Sequence, residues 1–92
     1  MHDHRRAEAV VVAEDHDALR DVIVRLLTAD GYRVSAHADG VDALAALADT
    51  PADLLVTDLG LPGLDGLALI EQARQRDPTL AVVVITSSDT TA

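Results

Sequence analysis

Three uninterrupted apolar runs, Ala9 to Ala13, Leu54 to Thr57 and Leu80 to Ile85, are separated by stretches in which apolar residues recur at helical spacing. This alternation leaves few architectures open. Runs this short and this rich in Val read as strands buried on both faces, as in parallel sheets. Tyr32 to Ala36 is a shorter fourth strand candidate. From Asp17 onward Leu19, Val22, Ile23, Leu26 and Leu27 follow helical spacing, and Asp30-Gly31 supplies a stop. A second helical pattern passes through Val41, Leu44, Ala45 and Ala48 before Pro51, with Asp39 as its N-cap candidate. A third, around Leu67, Leu69, Ile70 and Ala73, runs to Asp77-Pro78, where proline forbids continuation. Asp17 and Asp65 are the N-cap candidates of the first and third helices, and Gly63 and Gly66 are expected to meet backbone constraints. Strands alternating with helices imply right-handed βαβ units, hence an α/β, doubly wound parallel sheet with helices on both faces.

The chain has 92 residues, 49% of them hydrophobic, which provides one domain with a single core and little stability to spare. Cysteine is absent, so there is neither a disulfide framework nor a thiolate metal site, and nothing points to an oxidising compartment. No apolar run approaches the roughly 20 residues that span a bilayer, and Met1 to Arg6 lacks the apolar stretch of a signal peptide. The expectation is a soluble cytoplasmic protein. Seven Arg, no Lys and sixteen acidic residues give a formal net charge of -9, which disfavours direct attraction to nucleic acid or an anionic membrane. A cation, or a basic patch on a protein partner, suits this charge better. With Tyr32 as its single aromatic residue, the chain has no base-stacking platform.

The functional signal lies where the runs end. The first gives way to Glu14-Asp15, the second to Asp58 and the turn segment Gly60 to Gly66, and the last to Thr86-Ser87-Ser88. Ligands of open α/β sheets bind outside the carboxyl ends of the strands, so two carboxylate sites and a hydroxyl site can share one pocket. Converging carboxylates repel one another and resist full ionisation, and a divalent cation relieves that repulsion. A dinucleotide or flavin domain would need a glycine- or hydroxyl-rich phosphate cradle after the first strand, where Glu14-Asp15 would instead repel phosphate. His16, beside the acidic pair, is read as an exposed loop residue rather than a ligand.

Taken together, Val10 to His16, Gly31 to Val34, Ala38 to Leu44, Asp53 to Gly66 and Val83 to Ser87 resemble the response regulator receiver domain, the phosphoacceptor module of bacterial two-component signalling. The resemblance implies a flavodoxin-like or CheY-like three-layer fold with strand order 2-1-3-4. It implies that Asp58 accepts a phosphoryl group from a histidine kinase or phosphotransfer protein, with Mg²⁺ held by Glu14, Asp15, Asp58 and the backbone carbonyl of Gly60. Asp15 and Asp58 would be direct ligands and Glu14 would act through water. Thr86 would bind phosphoryl oxygens, with Ser87 beside it, and the small residues Gly60 and Ser87 would leave an acyl phosphate open to hydrolysis. Such a protein is no enzyme beyond self-catalysed phosphotransfer and dephosphorylation at Asp58. A haloacid-dehalogenase-like phosphatase also uses an aspartate and magnesium, but it needs a second Asp where this chain has Gly60.

The chain departs from that family in one respect. Complete receivers continue with a fourth helix, a fifth strand ending in lysine and a fifth helix, whereas this sequence stops at Ala92 and contains no lysine. The expectation is a receiver domain over residues 1–92 that is incomplete after the fourth strand, a fragment or truncated form of a longer regulator. It would have no nucleic-acid-binding segment of its own. Leu80 to Ile85 would then be an uncharged sheet edge, which invites a homodimer. The alternative is a phosphorylation-independent pseudo-receiver that acts as a protein–protein interaction module.

Overall fold

The structure, a computed structural model, describes residues 8–85. Its elements run β1 (Ala9–Ala13), α1 (Asp17–Ala29), β2 (Arg33–His37), α2 (Gly40–Asp49), β3 (Leu54–Asp58), α3 (Gly66–Arg76) and β4 (Ala81–Ile85). The four strands form one parallel sheet in the order β2-β1-β3-β4, as expected. Because side chains alternate across a strand, β1 feeds two cores at once. Val10 and Val12 join Val56 under Ile23 and Leu27 of α1. Val11 and Ala13 join Leu55 under Ala43 of α2 and Leu69 and Ala73 of α3. The result is a three-layer α/β/α domain whose central strands are sealed on both faces.

Two helices start where the sequence places them. Asp39 accepts the Asp42 N–H at 2.8 Å and Asp65 accepts the Ala68 N–H at 2.9 Å, so each caps its helix. Asp17 does not. His16 occupies the N-cap of α1, and Asp17, the first helical residue, gives its carboxylate to Arg20. The second strand begins one residue later than expected, because the Tyr32 N–H closes the end of α1 on the Leu27 carbonyl and Arg33 is the first residue paired with β1. α1 has no fully buried residue, and Val22 and Leu26 are 49% and 65% exposed, so its apolar stripe is wider than the described sheet covers.

The turn after β3 brings α3 against the backbone of the strand end. Gly63 has φ 77°, in the left-handed region that glycine adopts without strain. Gly66 serves a different need: its N–H donates to the Leu59 carbonyl at 2.9 Å, and a Cβ there would overlap the Asp58 carbonyl oxygen. Among the described residues no helix is long and apolar enough to cross a membrane.

Candidate metal centre at the carboxyl end of the sheet

β1 and β3 are adjacent and in parallel register, with Ala13 opposite Thr57, so the residues that follow, Glu14 and Asp58, emerge side by side. Asp15 comes with Glu14. Each of the three carboxylates offers an oxygen, and these atoms all lie within 4.8 Å of one another. Glu14 and Asp58 are buried, while Asp15 is exposed. The arrangement is therefore a half-sunken acidic patch with one face towards solvent.

Glu14 is the most constrained member. Its N–H donates to the His37 carbonyl at 3.0 Å, and its Oε2 accepts the His16 N–H at 2.9 Å. Its Oε1 is buried and has no hydrogen-bond partner among the described residues. Burial raises the Glu14 pKa above its ordinary value; the His16 N–H opposes this, and the negative charges of Asp58 and Asp15 reinforce it. An unpaired buried acceptor costs about 1 to 3 kcal/mol, so the site stores an unmet demand for a donor or a cation. Three carboxylates form an all-oxygen donor set, which suits a hard divalent ion such as Mg²⁺. The residues present fit that group.

Asp58, the last residue of β3, is pinned at the backbone and at the side chain. Its carbonyl accepts the Thr57 hydroxyl at 2.8 Å, and its Oδ1 accepts the Gly60 N–H at 3.2 Å. A Cβ at Gly60 would meet nothing within 4 Å, so the space beside that loop residue is open. His16 contributes its backbone N–H and is itself exposed, as expected. Thr86 and Ser87 lie outside the described residues.

Two contributors are invisible to motif reading. Thr57 is fully buried and anchors the peptide of Asp58. Arg20, one turn into α1, donates from Nη1 to the Glu14 carbonyl at 3.0 Å. The one available signal for Arg20 was a cation near the start of a helix, where the macrodipole disfavours it.

The profile described as the response regulator receiver domain matches residues 10–92. The chain belongs to the response regulator receiver domain family. This receiver is 40% identical over 78 residues to the DNA-binding transcriptional regulator NtrC of Salmonella typhimurium, a match covering 85% of this chain and 17% of that protein. It is 38% identical over 80 residues to the response regulator MprA of Mycobacterium ulcerans, covering 87% of this chain and 34% of that protein. The receiver thus spans about a sixth to a third of the length of these relatives. Among solved structures, the response regulator TrrA of Thermotoga maritima in complex with Mg(2+)-BeF superposes with a TM-score of 0.83 at 22% identity, over 89% of this chain and 71% of that one. Membership places this receiver in two-component phosphorelay signalling, whose receivers interact with histidine kinases or phosphotransfer proteins and typically bind Mg²⁺.

Proposed function

We propose that Asp58 accepts a phosphoryl group from a phosphohistidine on a partner histidine kinase or phosphotransfer protein, in a reaction dependent on Mg²⁺ held by Glu14, Asp15, Asp58 and the Gly60 carbonyl. The observation that carries this reading is the convergence of the three carboxylates around the end of β3, with a buried Glu14 oxygen left unpaired. A carboxylate oxygen of Asp58 attacks phosphorus, the phosphorus–nitrogen bond breaks, and the electron pair returns to the imidazole of the donor. When bound, the metal cancels charge on the transferring group. Thr57 and Gly60 hold the nucleophile in place, one through the peptide carbonyl and one through Oδ1. The hydroxyl of Thr86 completes the proposed site as a donor to phosphoryl oxygens, with the small Ser87 beside it. The chemistry is self-catalysed transfer and hydrolysis at a single side chain rather than turnover of a free substrate. A chain without cysteine suits the reducing cytoplasm in which we place it.

Labelling of the purified chain with a small phosphodonor, with and without Mg²⁺, tests the reading. Wild type is expected to label only with the metal, and Asp58→Asn is expected to lose the label. A folded, Mg²⁺-saturated wild type that takes no label overturns phosphotransfer. That result would favour the second reading, an interaction module that docks without turnover.

A further inference from the structure

Arg20 occupies a position that elementary electrostatics disfavours. It lies in the first turns of α1, where a positive charge opposes the helix dipole, yet its side chain is only 24% exposed. Both arms of its fork are engaged. Nη1 donates to the Glu14 carbonyl at 3.0 Å and Nη2 to Asp17 Oδ1 at 2.7 Å. The Glu14 peptide is thereby held from several directions, since its N–H goes to the His37 carbonyl and its Oε2 takes the His16 N–H. The short loop between β1 and α1, which carries two of the three site carboxylates, hangs from these bonds.

The Asp17 contact has a role of its own. Asp17 is largely exposed, and such surface pairs add little stability. It does occupy Nη2, so that the second arm of the guanidinium is committed to Asp17 while the first holds the Glu14 carbonyl. We infer that Arg20 is a positioning residue: held by Asp17, it fixes the loop that aims Glu14 and Asp15 at the metal position. This rests on the reading of the cluster as a Mg²⁺ site.

The sign of one substitution separates positioning from simple charge. Removing a cation beside three carboxylates raises divalent affinity by Coulomb's law alone. Removing a positioning bond lowers it. Calorimetric titration of the full chain with MgCl₂, beside a thermal melt of each variant, is expected to show Arg20→Met binding Mg²⁺ about tenfold more weakly than wild type, the size of one lost charge-assisted hydrogen bond. Arg20→Lys, which keeps the charge and one donor, is expected to recover most of that loss. Equal or tighter binding by folded Arg20→Met overturns the inference. A metal-free readout stands beside it: exchange of the His16 amide, which bonds Glu14 Oε2, is expected to quicken in Arg20→Met relative to the core amides of β1. Unchanged exchange there overturns the inference even if the metal reading holds. Should Arg20→Met fail to fold, Asp17→Asn decides through the His16 amide: quicker exchange at an unchanged melting temperature is expected, and unchanged exchange overturns the inference. A wild type that binds no Mg²⁺ overturns the metal reading instead, and the amide exchange still tests Arg20.

Discussion

Glu14 is a buried acid whose energetics are expected to reverse when a metal binds. Its pKa is raised by burial first, with Asp58 and Asp15 adding to the effect against the opposing His16 N–H. A carboxyl that is harder to ionise folded than unfolded contributes stability that is full below its ordinary pKa of 4.5 and is lost as pH rises through the folded value. Metal-free wild type is therefore expected to lose stability on that rise, whereas Glu14→Gln, which has no charge to desolvate, is not. At pH 7 without divalent ions Glu14→Gln should melt higher than wild type, and the gap should close below pH 4.5. Saturating Mg²⁺ should reverse the order at pH 7, because a ligand that binds only the native state stabilises it by mass action. Thermal unfolding across pH, with and without Mg²⁺, measures all three effects. Coincident wild-type and variant curves would mean that the Glu14 carboxylate keeps its water.

At the scale of elements, the joint between β3 and α3 holds Asp58 in place, and glycine makes it possible. A Cβ at Gly66 would collide with the Asp58 carbonyl and approach Leu59 Cα to 2.6 Å, both backbone atoms that cannot swing aside. Gly66→Ala is expected to cost about 1 to 3 kcal/mol of stability, as overpacking does, and to weaken Mg²⁺ binding by shifting the end of β3. Gln72→Ala, at an exposed position of the same helix, should change neither, which makes it the control. Chemical denaturation and metal titration of the pair test the contrast, and an undisturbed Gly66→Ala would mean that α3 can move away freely. The same joint shows how far the sequence is legible. Glu14, Asp15 and Asp58 are readable because each follows an apolar run, and parallel strands deliver their carboxyl ends to one edge. Thr57 and Arg20 are not, because their contribution is a hydrogen bond to a backbone carbonyl, which leaves no pattern in residue type. Asp17 reads as a cap because Asp at a helix start usually is one, and the competing attraction of Arg20 three residues on is what displaces it.

At the scale of the whole molecule, β2 and β4 are the edges of the sheet among the described residues. β2 and β4 have the same alternation of exposure but unlike chemistry: β2 offers Arg33, Ser35 and His37, whereas β4 is Ala81-Val82-Val83-Val84-Ile85, with Val83 and Val84 49% and 43% exposed. Charge blunts an edge against pairing, and β4 has none. Two copies of β4 can meet antiparallel about a two-fold axis, apolar residue facing apolar residue, which is the self-complementary arrangement that closes a dimer. The net charge of -9 on each copy opposes their approach, and salt screens that repulsion to about 10 Å at 0.1 M. Self-association of the 92-residue chain is therefore expected to strengthen as salt is raised, the reverse of an interface built on ion pairs. Val83→Lys is expected to suppress it at every salt concentration while leaving Mg²⁺ binding intact, since Val83 pairs with Val56, two residues short of Asp58. Sedimentation over a concentration series measures both effects. A wild type that remains monomeric throughout would exclude the β4 dimer, and association that salt weakens would locate the contact on the charged surface instead.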